Sequence, residues 1–258
     1  MTEPTSAAPV AESDLLHDLA AACRQRAAAY GFLSRLFRVE VDEAYLGELE
    51  QMRFPASTGT ENLDEGYRLI ARYLSGSRES TVLDLAVDYT RTFIGNGIVA
   101  KGLSAHSAAY PYESVYTSEK RLLMQEARDQ VLAIYRAAGL AKQDSWHDGE
   151  DHLALELEYM QVMANRAAER LEAADEEGAV ELLSAQEEFL RAHLTPWVPQ
   201  LAADMRTFAK TDFYRGLASL AEGYLEAERA FFDEVLADDE DECHCDEATE
   251  VSPDGAGA

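Results

Sequence analysis

Cysteine is scarce in this chain, and so is positive charge. Only three cysteines occur in 258 residues: Cys23 within a helical pattern, and Cys243 and Cys245 in an acidic tail. An odd, sparse set argues against a disulfide framework and for a reducing compartment, so the expected location is cytoplasmic. Lys and Arg number 22 against 49 Asp and Glu, a net charge of −27. That balance argues against nucleic acid as a partner, because phosphate neutralisation needs clustered Lys and Arg. An anionic membrane surface is disfavoured for the same reason, so no stable membrane association is expected. A basic partner, such as an arginine-bearing peptide, would be drawn in by the field, although on charge alone solubility is explanation enough. Residues 1 to 12 lack the basic start and apolar core of a secretory signal, and no segment has the length needed to span a bilayer.

Further absences narrow the chemistry. No alternating run reads as a strand, and no internal repeat is visible. Gly95-Asn96-Gly97 follows a helix rather than a strand and lacks a GK[ST] ending, so nucleotide binding has no local support. No Ser or Cys nucleophile sits in a G-x-S-x-G frame, and no H-E-x-x-H zinc motif occurs.

Helical periodicity is what remains. Ser13 reads as the N-cap of a first long helix running to Phe37, followed by helices over Asp42 to Met52, Asn62 to Leu74 and Ser80 to Phe93. Between Gly95 and Thr117 lies a long stretch without helical period, whose Tyr110, Tyr112 and Tyr116 predict an ordered loop packed against helices. Helix returns over Ser118 to Ala138, with Leu122 and Leu123 facing inward, then Asp151 to Ala173, Ala179 to Ala192, Pro196 to Ala209 and Asp212 to Leu236. Pro196 suits the first turn of its helix. The expectation is an all-α, single-domain compact bundle of about nine to eleven helices over residues 13–236. A disordered N-terminus (1–12) and a disordered acidic tail (237–258) flank it.

The chemistry-bearing stretch is Asp151-His152-Leu153-Ala154-Leu155-Glu156, which opens a helix apolar over much of its circumference. Spacing favours a helix cap at Asp151 and a His152–Glu156 pair four residues apart, with a polar binding site as the alternative. An enzymatic reading would be a metal-dependent helical hydrolase using His152, Glu156 and a further imidazole such as His147 or His106. Tyr89, Arg91 and Phe93, with the Tyr110 to Tyr116 group, frame the central loop as either ordinary packing or a peptide groove. Cys243-His244-Cys245 lacks the second ligand pair of a closed metal site and reads as adventitious.

Several segments, in order, resemble one family. Asp88-Tyr-Thr-Arg-Thr-Phe-Ile-Gly95, Tyr110-Pro-Tyr-Glu-Ser-Val-Tyr116 and Glu150-Asp151-His152-Leu-Ala-Leu-Glu-Leu-Glu-Tyr-Met160 are similar to stretches of the TorD/DmsD/NarJ chaperones. Phe189-Leu-Arg-Ala-His-Leu194, Trp197 and Asp212-Phe-Tyr-Arg215 extend the likeness, which covers about residues 14 to 235. The chain departs from the family's Glu-Pro-x-Asp-His form, since Gly149 and Glu150 precede the pair without a proline.

The resemblance implies an all-helical, non-enzymatic cytoplasmic chaperone, with no catalytic residue, metal or cofactor of its own, as monomer or homodimer. Its implied partner is the apo form of a molybdopterin oxidoreductase catalytic subunit and its twin-arginine signal peptide. Cofactor insertion would be supported and export delayed. Asp151 and His152 match the pair implicated in signal-peptide binding, Tyr89 and Phe93 the groove wall, and Tyr112 and Ser114 the bordering loop. Glu156, Arg91 and Tyr116 complete the candidate set.

Overall fold

Ten α-helices appear among the residues described by the computed structural model, which are 8–76, 78–95, 107–119 and 121–237. They are α1 (Ala8–Arg38), α2 (Glu43–Gln51), α3 (Glu61–Ser75), α4 (Thr81–Tyr89), α5 (Glu113–Thr117), α6 (Glu126–Ala137), α7 (Leu153–Glu172), α8 (Glu176–Phe189), α9 (Val198–Phe208) and α10 (Asp212–Val235). Two of them, α4 and α8, run on into π-helical turns at Thr90–Ile94 and Leu190–Leu194. No strand forms among the described residues; the one bridge joins Tyr112 and His152. The all-α expectation therefore stands, and no described helix is long and apolar enough to cross a membrane.

The core follows from the apolar stripes. α1 packs along α7, α7 along α8, and α10 lies on α3 and α9. Trp197, Tyr30, Tyr214, Phe37, Phe213 and Phe232 are the largest fully buried side chains, and the free thiol of Cys23 is buried with them. The α3–α10 contact is close enough to need glycine. A Cβ on Gly216 would stand 2.8 Å from the Gly66 carbonyl oxygen, and one on Gly66 would stand 2.8 Å from the Leu220 nitrogen. One buried ion pair crosses the bundle: Arg26 Nη2 meets Glu228 Oε2 at 2.6 Å, and Arg26 Nη2 also donates to Gln186 Oε1 at 3.0 Å. Its charges are paired and hydrogen-bonded, which burial requires.

Several boundaries differ from the sequence reading. α1 starts at Ala8, five residues before Ser13, because Pro9 falls in the first turn, where its missing N–H breaks no intrahelical bond. The rest of the N-terminal segment, 1–7, and the tail from 238, with Cys243-His244-Cys245, lie outside the described residues, as do 96–106 of the central loop. The helix expected over Ser118 to Ala138 is interrupted. α5 ends at Thr117, the described residues 118–119 and 121–125 are not helical, and α6 begins at Glu126. The buried Ser114 hydroxyl accepts from Gln125 N at 3.0 Å and folds the chain back. Arg121 and Met124 take positive φ, 50° and 59°. Leu122 and Leu123, expected inside, are 52 % and 47 % exposed. α8 starts at Glu176, not Ala179, behind an N-cap at Asp175 whose carboxylate accepts from Gly178 N. Pro199, not Pro196, occupies the first turn of α9, behind an N-cap at Trp197.

Candidate functional site

The described end of the central loop is a strap between α4 and α7. At its start Ala109 N donates to Thr92 O at 2.7 Å, on the π-helical turn. At its end Glu113 N donates to Asp151 O and Leu153 N to Pro111 O, both at 2.9 Å, forming the Tyr112–His152 bridge. The backbone N–H groups that open α5 and α7 are thus satisfied partly by each other's chain. Asp151 sits where the two helices start.

Asp151 is fully buried, yet it does not cap its own helix. Its Oδ2 accepts from Ser114 N at 3.0 Å, in the first turn of α5. The cap of α7 is His152, whose Nδ1 accepts from Ala154 N at 3.0 Å. The expected Asp151 cap is corrected accordingly: the bridge to Tyr112 turns the Asp151 carboxylate towards α5 and leaves the next residue to close α7. Asp151 Oδ1 has no hydrogen-bond partner. It lies against Gly149, where a Cβ would stand 2.7 Å from it, 3.8 Å from Met124 Cε and 3.9 Å from Tyr112 Cδ1. Only glycine permits that approach at the position where the family pattern has proline.

His152 is enclosed edge-on by Tyr112 and Trp146, at centroid distances of 4.8 and 5.1 Å. Burial holds its pKa down at about 4, against a raising influence of Asp148 and a lowering one of Arg38. At neutral pH the ring is uncharged, as an acceptor at Nδ1 must be. The expected His152–Glu156 pair is not formed, because the imidazole is committed to the cap while Glu156 points towards α5.

Glu156 belongs to a second buried group. Both its oxygens lack a donor, and it lies within hydrogen-bonding reach of Glu113. Glu113, also buried, meets His193 Nδ1 at 3.1 Å. Burial first, then the Glu113 and Asp151 charges, push the Glu156 carboxyl well above the usual carboxylate range, which favours its protonated form.

The remaining candidates divide into two walls. Ser114 is buried and Tyr112 donates to Asp148 Oδ1 at 2.7 Å, both beside Asp151. Tyr116 stacks on Trp197 at 5.6 Å and donates to Asp204 Oδ2 at 3.1 Å. On the other side, Tyr89 and Phe93 stand 5.0 Å apart in an aromatic cluster with Phe37 and Tyr214, and the Tyr89 hydroxyl donates to Phe37 O. Arg91, the most exposed of the set, reaches Asp88 at 3.3 Å. Asp88 in turn accepts from the amides of Lys210 and Thr211 at the start of α10. The Asp148 charge bears on the hydroxyls of both Tyr89 and Tyr112, so the two walls share one electrostatic neighbourhood.

Asp148, Trp146, His193 and Trp197 carried no assigned role in the sequence. The order of segments hinted at the last two, but a buried carboxyl across three elements is a tertiary fact. For the hydrolase reading, His106 lies outside the described residues and His147 is exposed, while His152 and Glu156 are turned apart. Among the described residues no three His, Cys, Asp or Glu side chains are placed to hold a metal ion.

Comparison with known proteins gives a consistent result. Residues 60–203, more than half of the chain, match the family model of the nitrate reductase delta subunit. Among curated proteins, the chaperone protein TorD of Vibrio cholerae serotype O1 (strain ATCC 39315 / El Tor Inaba N16961) is 27% identical over 228 residues, covering 86% of this chain and 98% of the relative. The TorD chaperone of Photobacterium profundum is 26% identical over 213 residues, 80% of this chain and 94% of its own. That of Psychrobacter sp. (strain PRwf-1) is 23% identical over 223 residues, 83% and 95%. These relatives are named as chaperones, which overturns the hydrolase alternative. The chain belongs to the nitrate reductase delta subunit family, that of the TorD and NarJ chaperones, and is a chaperone rather than an enzyme.

Proposed function

We propose that this chaperone acts in the cytoplasm on the apo catalytic subunit of a molybdopterin oxidoreductase, binding its twin-arginine signal peptide at Asp151. Holding the precursor there supports cofactor insertion and delays export. The observation that carries the reading is the unpartnered Oδ1 of Asp151, a buried anionic acceptor in a protein of net charge −27. Leaving a buried charged acceptor unpaired is costly, so a ligand that supplies the donor is favoured. A guanidinium is that donor, since it stays charged and offers several N–H groups in a fixed fork.

The apolar part of such a peptide needs a greasy rim, and one lies beside the acid. Leu122, Leu123 and Met124 are all exposed, and Met124 covers Gly149 on the path to Oδ1. The turn that carries them holds two non-glycine residues at positive φ, a conformation that costs energy and makes this the cheaper cover to displace. Tyr112 also lies against Gly149, and the Tyr89–Phe93 cluster and Arg91 form the further wall.

Asp151→Asn tests the assignment, because the amide keeps an acceptor for Ser114 N and removes only the charge. Calorimetric titration of the full chain with a synthetic twin-arginine leader should show affinity weakened roughly ten- to a hundredfold, with little change in melting temperature. Undiminished affinity in the variant would remove Asp151 from the site.

A further inference from the structure

The Glu156–Glu113–His193 group is buried beside Asp151 and spans α5, α7 and the π-helical turn after α8. Glu113 is the first residue of α5 and its neighbour Ser114 supplies the amide that holds Asp151 Oδ2. Whatever fixes Glu113 therefore fixes the carboxylate next to it. Two ionised glutamates could not bond to each other, and both oxygens of the fully buried Glu156 would stay without a donor. A proton on Glu156 would resolve this, because its O–H could donate to the Glu113 carboxylate, which also meets His193 Nδ1 at 3.1 Å.

We propose that Glu113, Glu156 and His193 are positioning residues for Asp151: one proton held between the two glutamates clamps α5 onto α7, and its loss to solvent frees α5 and weakens peptide binding. This rests on the reading of Asp151 as the peptide's anchor. With the proton gone, two buried carboxylates face each other and Asp151 makes a third, an arrangement that only movement of α5 relieves. The groups facing the pair are Asp151 at the start of α7, the Tyr135 hydroxyl from α6, His193 on the π-helical turn, and the Trp197 indole before α9. The largest charge influences on Glu156 come from Glu113 and Asp151 and not from a Lys or Arg that would neutralise a second charge.

Glu156→Gln keeps the donor and the shape but cannot titrate, which separates the clamp from simple packing. For the wild-type chain, affinity for a synthetic peptide of two adjacent arginines and an apolar stretch should be highest at low pH and fall as rising pH removes the proton from the pair. Where the proton is lost, the fall approaches tenfold per pH unit. In Glu156→Gln it should hold at the low-pH value of the wild type. Matching pH profiles for the two proteins would overturn the proposal. A second arm needs no peptide: hydrogen exchange at the Ser114 and Val115 amides, corrected for the intrinsic pH dependence, should lose protection with rising pH in wild type and not in the variant. If the peptide binds at no pH, the anchor reading of Asp151 fails and the exchange arm still decides the clamp. Protection that is flat with pH in both proteins would refute the clamp even if the peptide binds.

Discussion

A buried imidazole that caps a helix must stay neutral, and His152 carries that constraint for the whole site. Its folded pKa of about 4 lies below the ordinary 6.5, so between these values the unfolded chain binds the proton and the folded chain does not. Its contribution to stability is therefore complete above about pH 6.5 and lost as pH falls towards 4, roughly 3 kcal/mol in all. His152→Asn offers a non-titrating cap acceptor. In urea melts across this window, the wild-type stability relative to the variant should drop by roughly that amount on acidification. A constant difference between the two would show that His152 is not held neutral by the fold. Asp151 and Glu156 behave differently because neither has enough donors: one leaves an oxygen open to a ligand, the other favours its protonated form.

At the level of elements, the site depends on short segments held by long ones. α5 has five residues and little intrinsic stability, and it is kept in place by backbone bonds to the start of α7 and by Ser114's two hydrogen bonds. The scaffold beneath is made by close helix pairs such as α3 and α10. Gly216→Ala would push a methyl to 2.8 Å from Gly66 O, against main chain that cannot step aside. Denaturant unfolding should show a loss of about 1–3 kcal/mol, while leader affinity in the folded fraction is unchanged. A neutral effect on stability would mean that the two helices are free to slide apart. Helix existence was legible from periodicity here, but the break between α5 and α6 was not. Leu122 and Leu123 continue the apolar spacing of α6, and only the bond from Gln125 N to Ser114 Oγ reveals that the chain has already turned.

For the whole molecule the dominant quantity is charge. A net −27 repels itself and attracts cations, with both effects screened over about 10 Å at 0.1 M salt. Raising ionic strength should therefore raise the melting temperature while slowing association with a twin-arginine peptide. Stopped-flow rates that do not change with salt would mean that steering plays no part in the encounter.

Composition and periodicity by themselves determined the all-helical class, the acidic field and the stretch 151–156 where polar groups enter an apolar helix. These are local properties, set by side-chain spacing and by charges that sum regardless of conformation. What only the tertiary structure decided is which group each of those residues meets. His152 rather than Asp151 caps α7, Asp151 holds α5 instead, and Glu156 turns from His152 to Glu113. Asp151 and Ser114 are 37 residues apart in the chain, and Glu113 and His193 are 80 apart. No spacing rule within one helix reaches across such distances; the partners are set by the packing that brings α5, α7 and the turn after α8 to one point.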